Sequence, residues 1–129
     1  MPSPTVLDAS AILALIFEEP GREVVAELLN HPTALSTVNL AEVHTKLIER
    51  GTRSDQAWSN VNGLGIDISP FSAAQARVAA ELIASTRPYG LSLGDRACLA
   101  LAIERKAKVY TTDRKWKELG LGVEVEVIR

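Results

Sequence analysis

Short apolar segments alternate with helical stretches along this 129-residue chain, and this alternation constrains the fold more than any other feature. Five segments have the length and apolar character of strands, namely Thr5–Leu7, Ala34–Thr37, Ile66–Ile68, Lys108–Thr111 and Val123–Val127. Parallel neighbours in a sheet need a long crossover between them, and this crossover is usually a helix. The alternation therefore predicts one α/β domain over residues 1–129, with about five parallel strands and helices on both faces.

The helical stretches begin at residues that are typical of helix starts. Ser72, with Gln75 three positions later, and Ser92 are both favourable N-cap residues. The predicted helices cover residues 10–17, 22–29, 39–50, 55–62, 72–85 and 93–106. Glu124 and Glu126 alternate with valines in the last strand, so one of its faces is solvated and we expect it near an edge of the sheet.

Composition and cysteine content exclude several classes of protein. Apolar residues make up 47% and charged residues 23% of the chain, which is typical of a globular domain. The longest apolar run, Ala9–Phe17, is interrupted by Ser10 and is far shorter than the ~20 residues of a membrane-spanning helix. The single cysteine, Cys98, excludes an internal disulfide, and the N-terminus does not resemble a secretory leader. We therefore expect a cytoplasmic protein with no membrane partner.

Charge is distributed unevenly along the chain, whose formal net charge is −2. Residues 1–86 contain 5 basic and 10 acidic side chains, whereas residues 87–129 contain 9 basic and 6 acidic ones. A cationic surface in the second part would bind phosphate groups. The alternative is that these side chains form solvated helix faces. The candidate phosphate-binding residues are Arg87, Arg96, Arg114 and Lys115.

Four acidic residues follow predicted strands or lie in the first turn of predicted helices. They are Asp8, Glu42, Asp95 and Asp113. The carboxyl ends of parallel strands and the starts of the following helices lie along one edge of the sheet, where ligands bind. The topology therefore predicts that the four carboxylates converge on one crevice, although they come from segments far apart in the sequence.

Each acid except Asp8 also has a purely structural interpretation. The segments Asn39–Glu42 and Ser92–Asp95 have the spacing of a capping box, and Asp113 has the position of a helix cap. Asp8 does not fit this interpretation, because a carboxylate directly after a buried strand is costly unless it is paired or binds a cation. Four neighbouring acids repel one another, and a divalent cation with oxygen ligands relieves that repulsion. The joint pattern favours a metal site.

The segments that contain these acids resemble the motifs of PIN domains, and among those the VapC-type toxin nucleases of toxin–antitoxin pairs. The resemblance covers essentially the whole chain and rests on Val6–Ser10, Asn39–Glu42, Leu91–Ala97 and Val109–Asp113. It implies an endoribonuclease that uses Mg²⁺ or Mn²⁺, a homodimer and an inhibitory VapB-like antitoxin. The implied catalytic residues are Asp8, Glu42, Asp95 and Asp113, with the metal at Asp8, Asp95 and Asp113. The implied supporting residues are Ser10, Asn39 and Thr112.

One position departs from the family pattern. Many members carry a further acid two places after the last aspartate, and Lys115 stands there in this chain. Sites with one metal ion and with two therefore both stay open. A catalytically silent binding module of the same fold is the main alternative, and Lys115 is the best argument for it. A receiver-like signalling domain is disfavoured, because Ala9 follows Asp8 where a receiver would carry a second acid.

The first two predicted helices have more apolar side chains than one face of a small sheet covers. They contribute Ile12, Leu13, Leu15, Ile16, Val24, Val25, Leu28 and Leu29. An apolar patch left exposed on a small domain usually marks an interface, and a two-fold dimer is the commonest assembly. The sequence therefore also favours a homodimer.

Overall fold

Five parallel strands form the centre of the structure, a computed structural model that describes residues 4–129. The strands are β1 (Thr5–Leu7), β2 (Thr33–Ser36), β3 (Asp67–Ser69), β4 (Lys108–Thr111) and β5 (Val125–Val127). Their order across the sheet is β3-β2-β1-β4-β5, and every neighbouring pair is parallel. The predicted parallel α/β fold is confirmed, and β5 lies at an edge as its alternating glutamates predict.

The strand order opens a crevice at one point of the sheet. The chain builds outward from β1 to β3 on one side, returns to the centre, and then adds β4 and β5 on the other side. In open parallel sheets, ligands bind outside the carboxyl ends of the strands where the order reverses in this way. Leu7 and Tyr110 are in register at the boundary between β1 and β4. The residues that follow them, Asp8 and Thr111, therefore come together at the crevice.

Helices and 3₁₀ turns connect the strands. In the described part of the chain the α-helices are α1 (Ala9–Ile16), α2 (Arg22–Leu28), α3 (Thr37–Glu49), α4 (Ser54–Asn62), α5 (Ala73–Glu81), α6 (Ile83–Thr86) and α7 (Leu93–Arg105). The 3₁₀ turns are Arg87–Tyr89 and Arg114–Glu118. Ser72 and Ser92 cap α5 and α7 as predicted, because each side chain accepts a hydrogen bond from the backbone N–H three residues later.

Two helices differ from their predicted bounds by more than one residue at an end. Helix α3 begins at Thr37 instead of Asn39, because the Ser36 hydroxyl at the end of β2 accepts a hydrogen bond from the Val38 N–H (3.2 Å) and takes the N-cap position. The helix predicted over residues 72–85 is divided between α5 and α6. The Thr86 hydroxyl donates to the Leu82 carbonyl oxygen (2.8 Å), and this kind of contact bends helices.

The sheet is buried on both faces. Leu7 and Leu35 pack into a cluster with residues of α1 and α3, whereas Val6 and Val109 pack into a second cluster with α7 and Trp116. Successive strand residues point to opposite faces, so these two clusters show that helices cover both sides, as predicted.

Helices α1 and α2 leave part of their apolar surface uncovered. Ile12 and Val25 are fully buried, but Leu13 and Leu15 are only half-buried and Val24 is 40% exposed. This arrangement agrees with the predicted apolar patch. Over residues 4–129, the helices are all too short or too polar to cross a membrane.

Candidate active site

Asp8 lies at the carboxyl end of β1, directly at the crevice. Only 4% of its surface is exposed. Its Oδ1 atom accepts hydrogen bonds from the Ser10 hydroxyl (2.7 Å) and the Ala11 backbone N–H (2.9 Å), and its Oδ2 atom accepts one from the Thr111 hydroxyl (2.6 Å). The Ala11 contact makes Asp8 the N-cap of α1. All three donors are uncharged.

The charge of Asp8 is not neutralised by the protein. Burial raises the pKa of Asp8 from 3.8 to about 6, because the ionised carboxylate is removed from water. Hydrogen bonds from Thr111, Ser10 and Ala11 oppose this shift, and the charge of Asp95 adds to it. None of the ion pairs among residues 4–129 includes Asp8. A cation beside this carboxylate would lower its pKa and favour its ionised form.

The segment after β4 is attached to the same two hydroxyl groups. The backbone N–H of Thr112 donates to the Ser10 hydroxyl oxygen (3.0 Å), and the backbone N–H of Asp113 donates to the Thr111 hydroxyl oxygen (3.1 Å). Ser10 and Thr111 therefore lie between Asp8 on one side and the residues that end β4 on the other. Thr112, which the sequence predicts as a supporting side chain, contributes its backbone to this contact.

Asp113 and Asp95 both cap helical segments, as the structural interpretation of the sequence predicts. Asp113 Oδ1 accepts a hydrogen bond from the Lys115 N–H (3.0 Å) at the start of a 3₁₀ turn. Asp95 Oδ2 accepts one from the Ser92 N–H (2.9 Å), and the Ser92 hydroxyl accepts one from the Asp95 N–H (3.1 Å). The other oxygen of each carboxylate makes no hydrogen bond within residues 4–129. Capping and ligand binding are therefore compatible at both residues.

Glu42 extends from α3 to the beginning of α7. The buried Asn39 side chain donates through Nδ2 to Glu42 Oε1 (2.7 Å) and to the Gly94 carbonyl oxygen (3.0 Å). The interpretation of Asn39 and Glu42 as a capping box is wrong, because Ser36 holds the cap position. A Cβ atom at position 94 would overlap the Glu42 carboxylate, so a larger residue there would displace the end of that side chain.

The charges of three carboxylates act on one another. The Glu42 residue as a whole is exposed, but its carboxyl group lies against α7. Partial burial raises the pKa of Glu42, the Asn39 amide lowers it, and the charge of Asp95 raises it. Burial raises the pKa of the Cys98 thiol in α7, and Asp8, Asp95 and Glu42 all add to that shift. These three acids therefore form one electrostatic group around the start of α7.

Asp8, Glu42 and Asp95 lie close enough together for their charges to interact. Asp113 is linked to Asp8 through Thr111. Within residues 4–129, no three His, Cys, Asp or Glu side chains are close enough to hold a metal ion by themselves. In that same range the four carboxylates take part in none of the ion pairs. The crevice therefore carries uncompensated negative charge but is not a closed metal cage.

A family model described as the PIN domain matches residues 5–121. The chain belongs to the PIN domain family. The match extends over the segments that contain all four acids, and it excludes the receiver-like alternative. No curated protein sequence matches the chain at a significant level.

Several solved structures share the fold of this PIN domain. The VapBC-1 structure from nontypeable Haemophilus influenzae has a TM-score of 0.75 at 16% identity, over 97% of this chain and 98% of that one. A toxin–antitoxin complex from Klebsiella pneumoniae has a TM-score of 0.73 at 20% identity, over 97% and 98% of the two chains. Mycobacterium tuberculosis VapC20, described as a sarcin-ricin loop cleaving toxin, has a TM-score of 0.73 at 18% identity, over 93% and 98%. At these identities the likeness establishes the fold, and the predicted PIN fold is confirmed.

Three of the four basic candidates of this PIN domain donate to backbone carbonyl oxygens. Arg96 is half-buried and donates to a carbonyl oxygen of α5 (2.8 Å), whereas Arg114 donates to the carbonyl oxygen of the last residue (3.1 Å). Lys115 donates to a carbonyl oxygen of the turn Arg87–Tyr89 (3.1 Å), and Arg87 itself is exposed. None of these contacts is to an acidic side chain, and three of the four basic side chains are exposed.

Thr111 is the residue of this PIN domain's site that the sequence alone does not single out. It is fully buried, and its hydroxyl makes the shortest of the three contacts to Asp8. A hydroxyl-bearing residue at the end of a strand next to β1 is a signal for such a contact, but it can be recognised only when the strand order is known. Without the pairing of β1 with β4, Thr111 and Thr112 are equivalent candidates.

Proposed function

We propose that this PIN domain is an endoribonuclease that hydrolyses RNA phosphodiester bonds with a divalent cation, and that it is the toxin of a toxin–antitoxin pair. The main observation is the environment of Asp8, a buried carboxylate with uncharged donors and no ion-pair partner within residues 4–129. A carboxylate in such a position destabilises the metal-free fold unless a cation joins it. The fold shared with VapC20 and with toxin–antitoxin complexes supports the proposal.

The residues around the crevice fit Mg²⁺ or Mn²⁺. Mg²⁺ keeps several of its waters and binds through one or two carboxylates together with substrate phosphates, so a protein cage of three ligands is not required. Asp8 and Asp95 would hold the ion, with Asp113 beside them. Lys115 stands where a further acid would be, which favours one ion over two. When bound, the ion polarises the scissile phosphate and lowers the pKa of a coordinated water.

Glu42 would orient the attacking water and accept its proton. The Asn39 amide holds Glu42 Oε1, while Oε2 makes no hydrogen bond among the described residues. The pKa of Glu42 is raised by burial and by Asp95, which brings it closer to neutral pH than that of an exposed glutamate. A general base is most effective when its pKa lies near the working pH.

The exposed basic residues would bind the phosphates on either side of the cleaved bond. Arg87, Arg114 and Lys115 are exposed and carry charges that no acid neutralises within residues 4–129. Contacts of this kind position a nucleic acid without reading its bases. Arg96 is held against α5, so we assign its guanidinium group a smaller part in RNA binding.

The partners of this chain follow from the same proposal. The solved structures of similar fold include toxin–antitoxin complexes, and we propose a VapB-like antitoxin as the inhibitor of this chain. The uncovered apolar surface of α1 and α2 would be an interface, in a homodimer or against the antitoxin. The protein would act in the cytoplasm, where its RNA substrate is found.

Replacement of Asp8 tests the proposed function. The wild-type chain should cleave RNA with Mg²⁺ or Mn²⁺, lose cleavage in a chelator, and melt at a higher temperature when Mn²⁺ is added. Asp8→Asn keeps the size of the side chain but removes its charge, and it should lose both cleavage and the Mn²⁺-induced shift. Asp67→Asn, at the opposite end of the sheet, is the matched control and should keep both.

Two outcomes would contradict the proposal. Cleavage by Asp8→Asn at the wild-type rate would remove Asp8 from the active site. A wild-type chain that binds Mn²⁺ and RNA but does not cleave would instead be the catalytically silent binding module.

A further inference from the structure

Two short turns lie next to acids of the crevice, and two hydrogen bonds join these turns to each other. The turn Arg87–Tyr89 precedes α7, and the turn Arg114–Glu118 follows β4. The Lys115 Nζ atom in the second turn donates to the Tyr89 carbonyl oxygen in the first (3.1 Å). In the opposite direction, the Tyr89 hydroxyl donates to the Glu118 carbonyl oxygen (3.3 Å). The two turns are therefore connected at two points.

Lys115 is also attached to the segment that carries Asp113. Its backbone N–H donates to Asp113 Oδ1 (3.0 Å), while its Nζ atom contacts Tyr89. The next residue, Trp116, is buried in the core cluster against which Tyr89 packs. The backbone of Lys115 is therefore held on both sides, and its side chain leaves the turn from a fixed position.

The segment from Tyr89 to Asp95 has little conformational freedom. Gly90 ends the first turn in the left-handed conformation, with a φ of 67°, and Leu91 is buried. Ser92 and Asp95 then form the capping box of α7. A contact at the Tyr89 carbonyl oxygen therefore acts on the position of Asp95 through a short and well-packed segment.

The side chain of lysine is chemically suited to this link. An ammonium group has three N–H donors and no acceptor, whereas an ionised carboxylate can only accept. A lysine at position 115 can therefore bind the Tyr89 carbonyl oxygen, and an acid at this position could not. A hydrogen bond from an ionised donor is also stronger than one between neutral groups.

We propose that Lys115 is a positioning residue that joins the turn after Asp113 to the segment before Asp95 and thereby fixes the spacing of these two acids. This inference rests on the proposed function, because both acids belong to the proposed metal site. Loss of the link should weaken metal binding. Electrostatics alone predicts the opposite, since removal of a positive charge near carboxylates favours a cation.

Three substitutions separate the link from the charge. Lys115→Met keeps most of the length of the side chain but removes its charge and its donors, whereas Lys115→Arg keeps both. Lys117→Met is the matched control, because Lys117 is exposed in the same turn and the same charge is removed. Tyr89→Phe removes the second hydrogen bond between the turns without any change in charge, and it should have a smaller effect in the same direction as Lys115→Met.

NMR relaxation of the metal-free protein measures the link directly. In Lys115→Met the backbone order parameters of Tyr89, Gly90 and Leu91 should fall from about 0.85, the value of rigid backbone, to about 0.6 or below. Lys117→Met and Lys115→Arg should keep the values of the wild type. Unchanged order parameters in folded Lys115→Met would show that Lys115 does not hold the first turn.

Calorimetric Mn²⁺ binding without RNA measures the consequence for the site. Lys115→Met should bind Mn²⁺ roughly 10-fold more weakly than the wild type, whereas Lys117→Met should bind it at least as tightly and Lys115→Arg about as tightly. Unchanged or tighter Mn²⁺ binding by Lys115→Met, with a rise only in KM for RNA, would overturn the proposal and leave Lys115 as a phosphate contact. A wild-type chain that binds no Mn²⁺ would overturn the proposed function, while the order parameters would still decide whether Lys115 joins the two turns.

Discussion

The two ends of the sheet place acidic side chains in opposite environments. At the amino ends of the strands, Asp67 at the start of β3 pairs with Arg105 at the end of α7 (3.0 Å). Lys108 at the start of β4 also has acidic partners. Its Nζ atom lies 3.9 Å from Oε1 of Glu124, just before β5, and 3.5 Å from Oε1 of Glu126, within β5. At the carboxyl ends, no such partner exists within residues 4–129 for Asp8, Glu42, Asp95 and Asp113.

The difference supports the proposed division between acids that belong to the fold and acids that belong to the site. A paired acid near the surface is nearly neutral for stability, since exposed pairs contribute ~0–1 kcal/mol. An acid without a partner, held close to other acids, is unfavourable in the metal-free protein. A bound cation offsets this cost. At the carboxyl ends of the strands, removal of a carboxylate charge should therefore lower activity most and raise the free energy of unfolding of the metal-free protein.

The largest expected effect is the loss of cleavage in Asp95→Asn. The charge of Asp95 acts on both Asp8 and Glu42, and its removal should reduce kcat/KM by about 100-fold or more through weaker metal binding. Asp67→Asn is the control at the other end of the sheet and should cleave like the wild type. Steady-state cleavage of a labelled RNA measures both. Comparable losses in the two variants would eliminate the distinction between the ends of the sheet.

The second expected effect is a dependence of metal-free stability on pH. The pKa of Asp8 is about 6 in the folded state and 3.8 as the ordinary value, so between these values the folded state binds more protons than the unfolded state. The free energy of unfolding should therefore fall as pH rises from about 4 to about 6, by roughly 2–3 kcal/mol at most from this group. Asp8→Asn should remove that part of the dependence.

Urea unfolding in a chelator at pH 4 and pH 7 checks this prediction. The difference between wild type and Asp8→Asn isolates Asp8 from the other titrating groups. If the wild type lost no more stability than Asp8→Asn between the two pH values, Asp8 would have an ordinary pKa and a solvated environment.

A smaller effect is expected from Gly94→Ala. The added Cβ would overlap the Glu42 carboxylate, so Glu42 should move away from Asn39 and kcat should fall by about tenfold. Gly63→Ala is a suitable comparison, because Gly63 follows α4 with ordinary backbone angles and an added Cβ would lie 3.2 Å from the Ser59 carbonyl oxygen. Cleavage assays on both variants decide the matter, and equal activity of Gly94→Ala and the wild type would show that Glu42 need not occupy this position.

The smallest effect is expected at the paired end of the sheet. Arg105→Ala breaks the contact with Asp67, whose side chain is 62% exposed, and should lower the free energy of unfolding by about 0.5 kcal/mol with no change in cleavage. Chemical denaturation and the RNA assay measure the two quantities. A loss of several kcal/mol, or of activity, would mean that the amino end is not the passive end of the sheet.

The sequence predicts the fold well, because the alternation of apolar strands with helices is determined by residues that are close together in the sequence. The strand–helix order, the caps at Ser72 and Ser92, and the edge position of β5 all follow from the spacing of residues. The divided helix at Leu82 does not follow, because the hydrogen bond from Thr86 competes with a regular helical pattern that the sequence otherwise favours.

The site is predicted less completely, because its details depend on contacts between distant segments. The positions of the acids follow from the parallel topology, but the choice between Thr111 and Thr112 depends on the register of β1 and β4. Asn39 occurs in a motif that looks like a cap, and its actual contact with Gly94 spans 55 residues. No local pattern contains that information.

The pairing of β1 with β4 also determines when activity can arise during synthesis. The hydroxyl of Thr111 reaches Asp8 across 103 residues of sequence, and non-local contacts of this kind form late because a long loop must close first. A nascent chain that has emerged only as far as Ala107 contains Asp8, Glu42 and Asp95 but neither Thr111 nor Asp113. The complete set of contacts around Asp8, on which the proposed nuclease activity depends, therefore forms only after nearly the whole domain has left the ribosome.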